Sequence, residues 1–155
     1  MSMKLDSTDL KIVDILQKEG RIANNELANR IGLTTTPTLE RVKRLEREGV
    51  IEGYSARINK ELVGKGLTVF VTVTLSVHQL NLMKEFTSAI QAIPEILACY
   101  NTTGEGDFLL EVVAKDTKDY EQLMRTKLTT LPDVQRLHTS IVLNTIKDKS
   151  LIPVL

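Results

Sequence analysis

The spacing of hydrophobic residues divides this 155-residue chain into two halves with different periods. In the first half they recur every three or four positions, which is the period of an amphipathic helix. The first helix is predicted from Asp6 to Gly20, with Asp6 or Ser7 as its N-cap and Gly20 as its stop. The residues predicted to form its inner face are Leu10, Ile12, Val13 and Leu16.

Two more helices are predicted downstream. The second begins after Asn24, its N-cap, and stops at Gly32, and the third begins after Thr34, its N-cap, and stops at Gly49. Pro37 falls in the first turn of the third helix, where its missing N–H costs nothing. Three helices with a tight turn before the third are typical of a helix-turn-helix unit. The residues predicted to face the core are Leu27, Ala28 and Ile31 on the second helix and Leu39, Val42 and Leu45 on the third.

The second half begins with a change of period. From Leu67 to Val77, hydrophobic residues alternate with threonine, phenylalanine and serine, which predicts a long strand with two different faces. The order of elements is βαββαβ, which is the ferredoxin-like unit, and the predicted fold class is α+β. The elements predicted after the first strand are a helix over 81–92, strands over 96–103 and 107–115, a helix around 120–128 and a strand over 134–143.

The change of period also predicts the domain boundaries. Residues 1–53 are predicted to form a helix-turn-helix domain and residues 67–155 a ferredoxin-like domain. Residues 54–66 are predicted to link them through a short strand, Tyr54–Ile58, and a polar turn.

Charge is distributed unevenly along a chain that is neutral as a whole. The chain has 20 Lys+Arg and 20 Asp+Glu, yet five cations fall between residues 30 and 47. A basic helix is usually only a solvated surface, here with Glu40 and Arg44 as an i,i+4 ion pair. Its place as the third helix, after a tight turn, instead favours a recognition helix that binds double-stranded DNA. The candidate DNA-contacting residues are Thr34, Thr36, Pro37, Thr38, Glu40, Arg41, Lys43, Arg44 and Arg47, of which Thr38 leans towards the core.

Several other classes of protein are disfavoured by the composition. No apolar run is long enough to span a bilayer, and the polar N-terminus lacks the apolar stretch of a signal peptide. Cys99 is the single cysteine, and the two histidines, His78 and His138, are far apart, so neither a disulfide nor a metal site is expected. No nucleophile with a partnered base can be assembled, so no catalytic residue or cofactor is expected. We therefore expect a cytoplasmic protein without a membrane partner.

The residues also carry a family resemblance. The segment from Leu5 to Tyr54 resembles the DNA-binding domain of the Lrp/AsnC (feast/famine) transcription regulators, through the elements LDxxD, GRIxNxELAxRIGL, RVxRLE and GVIxGY. The second half resembles the effector-binding domain of that family, with TTGEGDFLLEVVAKD in the place of its T-G-x-x-D-[FY]-L-L hairpin. The chain departs from the family at residues 34–37, TTTP, where many members have a Ser-Pro-containing segment.

The resemblance implies a winged helix-turn-helix regulator that responds to an amino acid. It also implies homodimers formed through the C-terminal sheets and assembled as a tetramer of dimers, an octamer. Asp107 would accept a hydrogen bond from the effector's ammonium group, and backbone N–H groups near Gly104 and Gly106 would bind its carboxylate. The effector-binding residues expected on this basis are Asn101, Thr102, Thr103, Gly104, Glu105, Gly106 and Asp107, with Thr129 and Gln135 after the last helix.

Two other functions stay open from the sequence. A ligand-independent architectural DNA-binding protein would use the second half only for assembly. An enzyme built on the ferredoxin-like half would need a catalytic constellation, and none can be assembled. Glu105 and Asp107 could form a carboxylate pair for acid–base chemistry, but two acidic residues at a hairpin tip are more often solvated or clamp a ligand.

Overall fold

The computed structural model describes residues 4–76, 80–148 and 151–155, which fold into two compact units. One unit comprises the chain up to residue 57 together with residues 146–155, and the other comprises residues 58–145. The tail thus joins the first unit, whereas the sequence analysis assigned it to the second domain. The side-chain amide of Gln17 accounts for part of this, because it binds both the N–H and the C=O of Ile152 at 2.8 Å.

Three helices form the first unit, as predicted: α1 (Ser7–Lys18), α2 (Asn24–Ile31) and α3 (Thr35–Arg47). Asp6 caps α1 by accepting a hydrogen bond from Asp9 N at 2.8 Å. Gly32 and Gly49 follow α2 and α3 with φ of +72° and +74°, a left-handed conformation that favours glycine and ends a helix.

Details of the predicted boundaries need correction. Helix α2 is capped by the backbone of Ala23 rather than by Asn24, whose side chain instead donates to Thr35 O at 2.8 Å. Thr34 is the N-cap residue of α3, as predicted, but its side chain makes no capping hydrogen bond. The strand predicted over Tyr54–Ile58 is not formed, since these residues have no ladder partner in the described part of the chain.

The first unit has a small hydrophobic core made by all three helices. Ile12 and Leu45 are completely buried, and Leu16 and Leu27 pack with them. Leu39 was predicted to join this core, but 42% of it is exposed. Thr38 occupies an inner position instead and is fully buried. Its hydroxyl donates a hydrogen bond to Thr34 O at 2.9 Å, so the buried donor has a partner.

The second unit is a four-stranded antiparallel sheet with its helices on one face, which confirms the ferredoxin-like prediction. The elements in chain order are β1 (Leu67–Leu75), α4 (Leu80–Gln91), β2 (Ile96–Asn101), β3 (Phe108–Ala114), α5 (Thr117–Leu123), a π-helical turn (Met124–Leu128) and β4 (Val134–Ile141). The strands lie in the order β2-β3-β1-β4, so that β1 and β3 are central. Val77 and His78, at the predicted end of the first strand, lie outside the described residues.

The alternation predicted for β1 is confirmed by burial. Val69, Val71 and Val73 are fully buried and pack with α4 and α5, while the residues between them are half-buried on the opposite face. Phe86 of α4 and Phe108 of β3 close the core, with ring centroids 4.8 Å apart. The face of the sheet opposite the helices, which we call the open face, carries the remaining side chains of β1: Thr68, Phe70, Thr72 and Thr74.

Candidate functional site

The outer surface of α3 presents most of the predicted DNA-contacting residues. Thr34, Thr36, Glu40 and Lys43 are exposed, and Pro37 is partly exposed in the first turn. Arg47 is also exposed, with its side chain 70% accessible. Thr38 is the exception: its complete burial prevents a contact with DNA, so this prediction is wrong.

Two of the predicted cations are held by carboxylates of α1. Arg41 donates to Asp6 and to Asp9, both at 2.7 Å, and Arg44 donates to both oxygens of Asp9 at 2.7 Å. The hydrogen bond from Asp9 N and the bond from Arg41 lower the pKa of the Asp6 carboxyl. The i,i+4 pair predicted between Glu40 and Arg44 is therefore replaced by a pair with Asp9.

The cations that remain on the outer surface are fewer than the sequence suggested. Arg30 is bound by Glu19 at 2.6 Å and also by Glu26, and these hydrogen bonds raise its pKa. Among the described residues, Arg47 contacts only Glu48, through its Nε and one terminal nitrogen, each 3.3 Å from the same carboxylate oxygen. Lys43 and Arg47, together with the exposed threonines at the N-terminus of α3, thus form the surface best suited to a phosphate backbone.

The predicted effector hairpin connects β2 to β3 through a turn with several internal hydrogen bonds. Gly104 has a φ of +112°, which few residues other than glycine adopt. Thr102 N donates to Asp107 O at 3.0 Å, and the Asn101 side chain donates to the same oxygen at 3.0 Å. The hydroxyl of Thr102 donates to Gly106 O at 3.3 Å, so the loop has a defined shape.

Gly106 and Asp107 attach this hairpin to β1. Asp107 N donates to Val73 O at 2.8 Å, and Asp107 Oδ2 accepts from Leu75 N at 2.7 Å. A Cβ atom on Gly106 would lie 2.2 Å from Thr72 Cγ2. Glycine is therefore needed here for the close contact with β1, and the Asp107 carboxylate anchors the hairpin.

A cavity of about 440 Å³ opens between the hairpin and the open face of the sheet. Four predicted effector residues line it: Thr102, Thr103, Glu105 and Gly106. Five do not line it: Asn101, Gly104, Asp107, Thr129 and Gln135. Thr129 ends the π-helical turn, and its hydroxyl donates to Arg125 O at 3.0 Å. The lining residues that sequence reasoning missed are Thr72, Thr74, Leu109, Arg136, Leu137 and His138.

The missed residues come from strands that are distant in sequence. Thr72 pairs with His138, and Thr74 pairs with Arg136, so these four side chains share the open face. The period-2 spacing of these residues shows, from the sequence alone, which of them share one face of each strand. Which of them meet in a cavity is known only from the order and register of the strands.

A larger hollow, of about 810 Å³, lies in the first unit between the end of α1 and the tail. None of the predicted site residues lines it. Its Lys18 is paired with Asp14, and its Arg57 with Asp148, both at 2.6 Å. Because these two cations are already paired with carboxylates, they do not indicate a ligand in the hollow.

The described residues show neither a metal-binding group nor a membrane-spanning helix. They contain no group of three or more His, Cys, Asp and Glu side chains that could hold a metal ion. Among them, too, no helix is both long enough and apolar enough to cross a membrane. Cys99 is half-buried on β2, and burial raises the pKa of its thiol, which makes it a poor nucleophile.

Two family models match the chain, one for each half. Residues 5–52 match the winged helix-turn-helix DNA-binding model, and residues 68–152 match the Lrp/AsnC ligand binding domain. The leucine-responsive regulatory protein of Haemophilus influenzae is 43% identical over 143 residues, which cover 92% of this chain and 86% of the relative. The protein of the same name from Escherichia coli K12 is 40% identical over 94% of this chain and 89% of the relative.

Solved structures agree with these matches. A transcriptional regulator from Neisseria meningitidis in complex with L-methionine has a TM-score of 0.91 and 35% identity, covering 96% of this chain and 97% of that one. The feast or famine regulatory protein from Mycobacterium tuberculosis, also complexed with L-methionine, has a TM-score of 0.88 and 35% identity, covering 96% of this chain and 99% of that one. The helix-turn-helix unit, the ferredoxin-like unit and these similarities lead to one conclusion: the chain belongs to the Lrp/AsnC family of DNA-binding transcriptional regulators.

Proposed function

We propose that this regulator binds a free amino acid in the cavity beside the hairpin, and that binding changes its action on DNA. One observation carries the proposal: the cavity combines a cation, Arg136, and a carboxylate, Glu105, with the apolar side chain of Leu109. An amino acid has an ammonium group, a carboxylate and a side chain. Each of the three therefore has a chemically matched partner.

Size and surroundings support the same ligand class. The cavity volume of about 440 Å³ lies in the range of small-molecule sites. The hydroxyls of Thr72, Thr74 and Thr102 add neutral hydrogen-bonding groups around the charges. The Neisseria and Mycobacterium regulators were both solved with L-methionine, which supports an amino acid over other zwitterions.

In this proposal Arg136 binds the effector carboxylate and Glu105 accepts from its ammonium group. Asp107, expected from the family resemblance to bind the ammonium, contributes by holding the hairpin through its bond to Leu75 N. The remaining expected residues around the hairpin and at Thr129 and Gln135 stay predictions for a second layer of contacts.

Isothermal titration of the wild-type protein with each of the twenty amino acids tests the proposal. The best ligand is then titrated into Arg136→Gln and Glu105→Gln, each expected to weaken binding at least tenfold. Arg125→Gln is the matched control, because Arg125 is exposed, does not line the cavity and, within the described part of the chain, pairs with Glu121 alone. An analogue of the best ligand in which the carboxylate is replaced by hydrogen has no group for Arg136 to bind. It should therefore bind wild type and Arg136→Gln with the same weak affinity. Full affinity in both cavity variants would exclude this site.

The proposal for DNA is that α3 enters the major groove. Lys43 and Arg47 would contact phosphates, and Thr36, Pro37 and Glu40 at the N-terminal half of the helix would approach base edges. Because one protomer carries one such helix, a homodimer would supply the second for a neighbouring groove. The open face, with Phe70 at its centre, is the proposed dimer surface, and four dimers would form the octamer of the family expectation.

Two alternatives can be separated from this proposal by simple measurements. An architectural DNA-binding protein would show no rise of Tm with any amino acid, whereas an effector-binding regulator becomes more stable as ligand is added. The proposal also includes the absence of catalysis and of a cofactor, and a location in the cytoplasm. Conversion of the bound amino acid, followed by mass spectrometry, would contradict the absence of catalysis.

A further inference from the structure

A buried carboxylate connects the first helix to the recognition helix. Of the polar residues that the structure describes, only Asp9 and Thr38 are buried, and Asp9 is 1% exposed. An ionised carboxylate in such a place needs strong donors. Its oxygens accept from Arg41, from Arg44 and, at 3.1 Å, from Asp6 N.

The two arginines are spaced so that one carboxylate can hold both. Arg41 and Arg44 are three residues apart on α3 and therefore lie on the same side of the helix. Asp6, one turn before Asp9, accepts from the same Nη1 of Arg41 at 2.7 Å. The result is a group of two carboxylates and two guanidinium groups in which the charges balance.

This group is directional, whereas the neighbouring core contacts are not. Val42 and Leu45 pack against α1 through apolar surface, which stabilises contact but tolerates small rotations of a helix. The hydrogen bonds of a guanidinium group to a carboxylate have a preferred geometry, and here two such groups are fixed at adjacent turns of α3. They therefore determine the rotation of α3 about its own axis.

The arrangement also decides which cations can meet DNA. Nε of Arg44 is inaccessible to solvent and has no hydrogen-bond partner among the described residues, so a phosphate cannot reach that edge of the guanidinium group. The side chain of Arg41 is only 29% exposed. Lys43 and Arg47 face outward on the same helix.

We infer that Asp9 is a positioning residue for DNA recognition: it holds Arg41 and Arg44 against the first turn of α1 and so orients α3, leaving Lys43 and Arg47 as the cations that contact DNA. The inference rests on the proposal that α3 is the helix that binds DNA. It withdraws Arg41 and Arg44 from the set of phosphate contacts expected from the sequence.

Fluorescence anisotropy at several salt concentrations tests the inference on two duplexes. One is selected from a random pool by the wild-type protein, and the other is a scrambled duplex of the same composition. Lys43→Gln and Arg47→Gln should each make the slope of log affinity against log salt shallower by about one unit on both duplexes. Arg44→Gln should leave the slope unchanged, because its charge is already neutralised by Asp9.

Asp9→Asn should lower the ratio of selected to scrambled affinity at least tenfold while the slope does not become shallower. A purely structural role cannot produce this change, because loss of folded protein lowers both affinities by the same factor. If Asp9→Asn does not fold, the double variant Asp9→Asn/Arg44→Gln, which replaces the ion pair by two neutral amides, takes its place. This variant should show the same decrease in the ratio of selected to scrambled affinity.

The outcomes separate the inference from the proposal beneath it. Unchanged slopes for Lys43→Gln and Arg47→Gln would show that α3 is not the DNA-binding helix. Changed slopes for those variants together with a wild-type ratio for Asp9→Asn or its double variant would overturn the role of Asp9. A slope shallower by about one unit in Arg44→Gln would also overturn it, since Arg44 would then contact phosphate itself.

Discussion

Replacement of Gly106 by alanine should disrupt the packing of the hairpin against β1. The new Cβ would lie 2.2 Å from Thr72 Cγ2 and 3.3 Å from Val73 O. Carbon atoms in contact prefer about 3.5–4.0 Å, so the hairpin or β1 must move by more than an ångström. The movement falls directly on the two hydrogen bonds that join Asp107 to Val73 and Leu75.

The magnitude follows from these contacts. Insertion of a methyl group into a packed site costs about 1–3 kcal/mol, and each weakened hydrogen bond adds about 0.5–1.5 kcal/mol. We expect a loss of about 2–4 kcal/mol in the free energy of unfolding of the second unit. At roughly 4–8 °C per kcal/mol for a domain of this size, Tm should fall by on the order of 10 °C or more.

Differential scanning calorimetry and effector titration measure the two consequences. Gly66→Ala is the matched control, because its Cβ would meet the flexible side chain of Glu61 at 3.3 Å, which can move aside. Thr72→Ser removes the clashing methyl group and leaves Thr72 Cβ at an ordinary 3.7 Å, so the double variant Thr72→Ser/Gly106→Ala should regain most of the lost stability. A Gly106→Ala protein with wild-type Tm and effector affinity would refute the attachment of the hairpin to β1.

Two further predictions concern stability at low pH and assembly. Lys127 donates to both oxygens of Glu95 at 2.9 Å and thereby lowers the pKa of that carboxyl below its ordinary 4.5, so the pair stabilises the fold above pH 4.5 and this contribution is lost as pH falls through the lowered pKa. Lys127→Met should therefore be less stable than wild type at pH 7, by less than about 1 kcal/mol for such a partly exposed pair, and the difference should vanish in acid; a difference that is the same in urea titrations at pH 7 and pH 3 would contradict this. Phe70 lies between Glu111 and Ser140 on the open face, so Phe70→Arg can pair with Glu111 within the sheet while placing a charge in the proposed dimer surface. Light scattering should report a smaller assembly with an unchanged circular dichroism spectrum, and an unchanged mass would exclude Phe70 from the interface.

The sequence by itself determined the elements and their order. The helical period, the left-handed glycines at positions 32 and 49 and the alternation along β1 are local properties, because each depends on residues within a few positions of one another. They were enough to predict a helix-turn-helix unit followed by a ferredoxin-like sheet. They also indicated correctly that α3 carries a polar outer surface.

Only the tertiary structure decided which of the polar residues are available for function. Asp9 lies 32 and 35 positions before the two arginines that it neutralises, and no periodic pattern reports an ion pair between helices. Likewise, Arg136 and Thr74 share a cavity because β4 pairs with β1 in one particular register, and Gly106 is required because the hairpin packs on Thr72. A pattern of hydrophobic and polar residues predicts which side chains are near the surface. Which charges are already paired, and which side chains meet across strands, depends on contacts between elements that are far apart in the chain.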